Sequence, residues 1–260
     1  MSASRGLIAT LLDPAGLQVR FQPVFQVDGD GGERRLLALE ALIRGPRGSN
    51  MEAPAVLFDY VRRKREEVAM DRVCVARALE AAAGLERPVN LSINVHAATL
   101  SRDPEFLTFL GDAAEEHAVP LSRLTLEISH RAPLWEGESL ASALDALRHI
   151  GIAIALDDVG LGQGNFQMIL DCKPDFFKVD GYFVRGCDGD FHRQAILESI
   201  VGLGRRFGAR VIGEAVESDE ELGALRRLGV QLAQGYLLCR PQLPTELLAS
   251  GVLDTLPVAG

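Results

Sequence analysis

The chain has 260 residues, 47% hydrophobic and 24% charged, which suits a soluble globular protein able to bury a sizeable core without staples. Its formal net charge of −9 argues against sequence-independent nucleic-acid binding, which needs clustered lysine and arginine, but leaves room for a phosphate ligand carried with a divalent metal. Four cysteines lie far apart with no Cys-x-x-Cys, and no apolar run approaches the roughly 18 residues of a membrane span, so the expectation is a cytoplasmic protein without DNA or membrane partners.

Residues 1–16 read as a leader, helical through Leu7–Leu12 and ended by Asp13-Pro14. Val19–Val27 follows as a strand whose internal Gln22-Pro23 marks it as an edge or atypical strand. Past the turn cluster Asp28–Gly32, Leu36–Arg44 is expected to return antiparallel to it. From there strand, loop and helix alternate. Helices are expected over 54–67 and 71–83, the second with Val73, Ala76, Leu79 and Ala83 at helical spacing. Strand 89–95, helix 104–117, strand 124–129, helix 139–150 and strand 152–157 come next, then a Gly-rich loop and a short helix. Strand 176–179, helix 191–207, strand 211–214, helix 219–228, a short strand near Leu232 and a closing helix over 243–253 complete the chain. The basic run Arg62-Arg63-Lys64-Arg65 reads as a solvated helix face. About eight strands separated by helices predict an α/β fold, a modified TIM (β/α)8 barrel with its first strand antiparallel to the rest. The barrel is expected over 17–253, with a tail over 254–260 and no attached sensor domain.

Chemistry enters through charges placed in apolar strands. Glu40 and Arg44 sit in Leu37–Gly45, where they make either an internal ion pair or part of a site. The pattern recurs at the strand C-terminal ends, in Glu40, Asn94, Glu127, Asp157 with Asp158, Lys178, Glu214 and Gln234. In a barrel these ends meet on one face, where barrel active sites lie. Carboxylates gathered there repel unless something cationic sits among them. Oxygen donors with one asparagine and no clustered histidine or cysteine favour Mg²⁺ or Mn²⁺. Adjacent Asp157 and Asp158 can serve two ions about 4 Å apart, an arrangement used for phosphoester hydrolysis. Gly160–Gly164 misses the Gly-x-Gly-x-x-Gly spacing and follows two aspartates that repel a bare pyrophosphate, so a Rossmann loop is set aside.

The motifs Phe21-Gln22-Pro23-Val24, Glu40-Ala41-Leu42-Ile43-Arg44, Ile93-Asn94, Leu124-Thr125-Leu126-Glu127, Asp157-Asp158-Val159-Gly160, Lys178-Val179-Asp180, Glu214-Ala215-Val216-Glu217 and Gln234-Gly235-Tyr236 occur in this order. Together they resemble the EAL-domain family of cyclic di-GMP phosphodiesterases, over roughly residues 17–245. The resemblance implies two-metal hydrolysis of cyclic di-GMP to linear pGpG, with Mg²⁺ or Mn²⁺ as cofactor and Ca²⁺ inhibitory. It implies Glu40, Asn94, Glu127 and Asp157 on the first metal and Asp157, Asp158 and Glu214 on the second, the metals making hydroxide from a bridging water. Lys178, Glu214 and Glu40 are then catalytic, Lys178 positioning the water. Gln22, Leu42, Arg44 and Gln234 become substrate-binding, and Glu217, Asp180 and His130 supporting. Ordinary buried hydrogen bonding remains the alternative for Gln22, Gln234 and Glu217, and a salt bridge to Asp180 or Asp157 for Lys178. Asn90-Leu91-Ser92 imitates a family motif, but spacing to Pro104 and Phe106 assigns the ligand to Asn94. A homodimer and a separate regulatory protein are the implied further partners.

The match frays in one element. Where the family usually has Asp-Asp-Phe-Gly-Thr-Gly-Tyr-Ser-Ser, this chain has Asp157-Asp158-Val159-Gly160-Leu161-Gly162-Gln163-Gly164-Asn165, and His130 replaces a glutamate that braces that loop. Two readings stand: an active phosphodiesterase with an alternative brace, or a catalytically weak or inactive cyclic di-GMP receptor. If the loop is the weak link, His130→Glu raises turnover in a steady-state assay. An unchanged or lower rate counts against that account.

Overall fold

The computed structural model describes residues 8, 10–28, 34–85, 87–129, 137–161 and 165–256. Its elements are β1 (Gln18–Gln26), β2 (Arg35–Arg44), α1 (Pro54–Lys64), α2 (Glu67–Ala83), β3 (Leu91–His96), α3 (Ala97–Arg102), α4 (Phe106–Glu116), β4 (Leu124–Ser129), α5 (Gly137–His149), β5 (Ala153–Val159), α6 (Asn165–Cys172), β6 (Phe176–Val179), α7 (Gly181–Val184), α8 (Phe191–Phe207), β7 (Arg210–Gly213), α9 (Asp219–Arg227), β8 (Leu232–Ala233) and α10 (Pro244–Ala249). Among the described residues the eight strands close in chain order into one barrel. β1 runs antiparallel to both β2 and β8, and every other neighbouring pair is parallel.

Strands with helices outside and side chains inside are buried on both faces, so they read as nearly continuous apolar runs. β4 is such a run, with Leu124, Leu126 and Ile128 buried outward and Glu127 buried on the opposite face. The outward residues of the strands join the helices in one large apolar layer. A second, small cluster of Val24, Ile212 and Leu232 lies apart from it, with Phe176 and Leu37 packed against it. Ile212 registers with Lys178, and Val24 shares a strand face with Gln22, so this cluster fills the barrel interior beneath the polar layer.

Of the two expectations for Pro23, an edge or an atypical strand, the second holds: β1 is paired on both sides and is the antiparallel strand of the barrel. Pro23 falls where the β1–β8 side carries no ladder, between the Phe21–Gln242 bridge and the Phe25–Ala233 pair. The helix expected over 104–117 starts at Phe106, preceded by the separate short α3, and α7 is a further short helix that periodicity does not reveal. On α2 the buried face is Met70, Asp71, Cys74, Val75, Ala78, Leu79 and Ala82. Of the four residues expected to form that face, Leu79 alone is buried, and Ala83 is exposed. Arg62 and Arg63 reach Asp59 on the solvated side of α1, as the charge run suggested. The four cysteines are free and buried. The leader, the domain limits and the tail fall partly on residues 1–7, 9 and 257–260, outside the described residues, as do His130 and residues 162–164.

Two non-glycine residues at strand ends adopt left-handed backbone: Asp158 at φ 54° after Asp157, and Ala215 at φ 54° after Glu214. The Ala215 methyl also excludes any side chain at Gly181, where a Cβ would lie 2.6 Å from it. Left-handed backbone costs an alanine more than a glycine. Ala215→Gly is therefore expected to raise stability by about 1 kcal/mol. The urea midpoint should rise at constant m-value, and an unchanged midpoint would show that the turn carries no strain.

Candidate active site

The centre of the site is an ammonium group. Lys178, on β6, is 1% exposed, so its charge must be met inside the barrel. Its Nζ lies 2.5 Å from Glu127 Oε2 on β4, 2.9 Å from Glu214 Oε1 after β7 and 3.3 Å from Glu40 Oε2 on β2. Asp157 Oδ1 on β5 stands at 3.8 Å. Four strands thus deliver four carboxylates to one lysine. Register explains the meeting: Asn94 is opposite Glu127, and Glu40 is opposite Gln22 and Ser92.

A polar chain fixes Glu40. Asn94 Nδ2 donates to Glu40 Oε1 at 2.9 Å, and Gln234 Nε2 donates to Glu40 Oε2 at 2.7 Å and to Gln22 Oε1 at 3.1 Å. Gln22 Nε2 in turn donates to the Cys239 carbonyl at 3.1 Å. The structure brings Asn94 to the cluster, whereas Asn90 lies at the other end of β3 and donates to the Leu37 carbonyl. Glu40 and Arg44 do not pair: Glu40 faces Lys178, and Arg44 Nη1 donates to the Ile43 carbonyl. Asp180 caps α7 through Tyr182 N and makes no ion pair with Lys178, and Glu217 is exposed at the rim, 3.9 Å from Arg185. Asp158 follows Asp157 within β5, at the irregularity in the β5–β6 register, where its charge works against ionisation of its neighbour.

One ammonium does not neutralise four acids. Burial drives Glu127 well above the ordinary carboxylate range, the charges of Glu40 and Asp157 add to the rise, and Lys178 opposes it. Burial likewise raises Asp157 against the pull of Lys178 and pushes Glu214 up to about 8. Burial also works to raise Glu40, but Lys178 and the amides of Gln234 and Asn94 outweigh it and hold that acid below its usual value. For Lys178 the burial penalty is overridden by the surrounding acids, which keep it protonated. A site short of positive charge, built from oxygen donors, fits hard divalent cations in kind. The Gln234 Oε1 atom is a buried acceptor without a hydrogen-bond partner, a further oxygen open to a ligand or water. Among the described residues, no three acidic, imidazole or thiol groups form a ready metal cage. The carboxylates converge on Lys178 instead, so the fit is one of charge and donor type.

Two cavities flank this cluster. One, of about 390 Å³, runs from Glu40, Asn94 and Asp157 past Arg44 to Phe58 and His96. The other, of about 320 Å³, lies between Gln22, Gln234, Glu214 and Tyr236. Glu40 and Leu42 line both. Each lobe holds an aromatic ring, Phe58 in one and Tyr236 in the other, the latter under the Arg240 guanidinium at 4.3 Å. His96 and its buried partner Asp71 had no sequence signal as a pair, although an acid inside the apolar face of α2 was one available clue.

The EAL domain family matches residues 8–241, and the chain belongs to that family. The cyclic di-GMP phosphodiesterase PA2567 of Pseudomonas aeruginosa is 31% identical over 62% of this chain and 27% of its own length. The cyclic di-GMP phosphodiesterase RocR of the same species is 28% identical over 88% of this chain and 58% of its own. The chain thus spans less than two thirds of the length of these curated relatives. Among solved structures, the Klebsiella pneumoniae BlrP1 calcium/cyclic di-GMP complex superposes with a TM-score of 0.78 at 27% identity, over 89% of this chain and 57% of that one. No helix among the described residues is long and apolar enough to cross a membrane.

The raised acids tie stability to pH. Glu214 moves from an ordinary 4.5 to about 8 in the folded protein, so the folded state holds an extra proton between those values. That contribution is present at low pH and lost as pH rises through about 8. In metal-free protein, Glu214→Gln should therefore gain melting temperature over the parent as pH goes from about 5 to about 8. A constant difference across that range would remove Glu214 from the account.

Proposed function

We propose that this chain hydrolyses cyclic di-GMP to linear pGpG in the presence of Mg²⁺ or Mn²⁺. The observation that carries the reading is the buried Lys178 ringed by four carboxylates where two aromatic-bearing lobes meet. A dinucleotide has two bases and a doubly bridged phosphate ring, and a two-lobed cleft with a charged centre suits that shape. Membership of the EAL family and the names of its curated relatives support the same substrate.

Glu40, Asn94, Glu127, Asp157, Asp158 and Glu214 would hold two divalent cations. Such cations would supply Lewis-acid charge that acidifies a water and offsets negative charge on the phosphate. The chain's own groups do the rest. Lys178, kept protonated by its acids, orients a water through its N–H donors and moderates the charge between Glu127 and Glu214. Glu214, partly exposed and 2.9 Å from the ammonium, would hold a cation on one side and Lys178 on the other, and the water's proton passes to solvent. The water oxygen bonds to phosphorus as the bond to the ribose 3′ oxygen breaks, and the leaving 3′ oxygen takes a proton from solvent. Arg44, half-buried at one lobe, and Gln22 at the other hold the ligand's polar groups, and Leu42 forms the apolar floor common to both. Gln234 keeps Glu40 in place from one side and Asn94 from the other.

Pure protein incubated with cyclic di-GMP and Mg²⁺ or Mn²⁺ should yield pGpG on chromatography, and chelator should stop it. Glu40→Ala should abolish the product and weaken metal binding in calorimetry while the melting transition persists. Retained hydrolysis in that variant would overturn the metal assignment. Binding without product from the parent protein would make the chain a cyclic di-GMP receptor.

A further inference from the structure

Below the charged cluster the barrel interior is filled unevenly. Val24, Phe176 and Ile212 occupy it on the β1, β6 and β7 side. The residues that β2 to β5 turn toward them are small: Ala38, Ser92, Thr125, Ala153 and Ala155. The mismatch leaves a cavity of about 150 Å³ between the underside of Glu127 and the end of the barrel opposite the site, where Asn90 and Arg123 stand at its mouth.

Polar groups face this cavity without partners. Ser92 is 5% exposed, and Thr125 is its register neighbour on β4. Neither hydroxyl hydrogen-bonds to a described residue. The Arg123 guanidinium likewise makes no hydrogen bond or ion pair among the described residues. The acid at the inner end is already engaged, with Glu127 Oε2 at 2.5 Å from Lys178 Nζ. A buried hydroxyl without a partner calls for water or a ligand. Water would find few partners on the facing wall, where Phe176, Ile212, Ala153 and Ala155 present no polar side-chain atom.

The lining therefore sets a guanidinium at the mouth, two hydroxyls on one wall and an apolar surface on the other. A carboxylate matches the guanidinium, because two parallel N–H···O bonds fit that pair. A short carbon chain matches the apolar wall, and a hydroxyl along it matches Ser92 and Thr125. Size sets the length: an apolar cavity of about 150 Å³ takes a six-carbon ring, so an acid of three or four carbons fits.

We propose that this cavity is a second ligand site, which takes a short-chain hydroxycarboxylic acid with its carboxylate on Arg123 and its hydroxyl on Ser92 and Thr125. The site opens at the other end of the barrel from the charged cluster, and it stands whether or not the chain cleaves cyclic di-GMP.

The test follows backbone amide shifts of the isotope-labelled chain during titration with 3-hydroxybutyrate, with butyrate and with the uncharged 1,3-butanediol. Saturable shifts are expected at Ser92, Arg123 and Ala153, with a Kd for 3-hydroxybutyrate on the order of 1 mM. Butyrate should bind about fivefold more weakly, and the diol about tenfold more weakly. Arg123→Gln should remove the advantage of the acid over the diol. Ala153→Leu, which fills the cavity, should abolish the shifts. Spectral dispersion identifies a variant that fails to fold, and if Ala153→Leu does so, the Arg123→Gln comparison decides. Equal affinity for butyrate and 3-hydroxybutyrate overturns the role of the hydroxyls. Shifts that do not saturate, that centre on the Lys178 cluster, that are equal for acid and diol, or that persist unchanged in the folded variants overturn the site.

Discussion

The ammonium of Lys178 is the group on which the rest of this barrel's polar interior depends. An isolated lysine at that depth loses its proton, because burial penalises the charged form. Here Glu127, Glu214, Glu40 and Asp157 keep it charged, each from a different strand end. The same arithmetic leaves the acids in excess, which is why Glu127, Asp157 and Glu214 are all pushed toward their protonated forms. Removing one partner of a buried charged set usually costs more than the set contributes, since the remaining charges lose their compensation. The cluster therefore makes sense as a balance that a bound cation completes, with Lys178 limiting the repulsion in its absence.

Around that centre the structure spends local strain and local order where the chemistry lies. The two acids whose positions close the ring, Asp157 and Glu214, are each followed by a residue in left-handed backbone. Strained backbone of this kind persists where surrounding contacts over-determine it. The contacts are visible: Gly160 allows no Cβ against the Phe183 ring, and Gly235 lies against the Val216 backbone, where a Cβ would come within 2.2 Å. Glu221 ties the same region together, accepting from Gly186 N on one side and from Glu217 N and Ser218 N on the other. The turns after β6 and β7 are thereby held to each other, which fixes the floor from which Glu214 reaches Lys178.

Much of this was legible in the sequence, for a physical reason. A charge or amide inside an apolar strand is improbable unless something meets it, so Glu40, Asn94, Glu127, Lys178 and Gln234 stood out residue by residue. Strand alternation and the loop pattern then placed them on one face. What pattern reading missed is what depends on a partner far along the chain. The Glu40–Arg44 pairing was a fair local expectation, yet Lys178, 138 positions beyond Glu40 by number, supplies the counter-charge. Asp71 and His96 are each unremarkable alone, and their meeting follows only from how α2 packs on β3. The short α3 and α7 hold too few turns for a periodic signal. On α2, abundant alanines blurred the period and the buried face was misplaced, with Asp71 hidden on it.

The reversed first strand explains why the site has two lobes. Because β1 is antiparallel, Gln18 lies level with Arg44 at the rim and Gln26 reaches the far end of the barrel. β8 is two residues long and pairs with β1 only at Phe25 and Gln26. Above that pair the chain leaves the barrel wall at Gln234 and returns to β1 only at Gln242, which bridges Phe21. The gap between them is not sealed by a ladder. Side chains line it instead: Gln22 reaches across to the Cys239 carbonyl, and Gln234 links Gln22 to Glu40. Tyr236, on the loop that spans the gap, walls the second lobe. An all-parallel barrel with a full eighth strand would pair its strands here and present one funnel. Turning β1 around opens the wall beside the charged cluster, and the two lobes meet along Glu40 and Leu42.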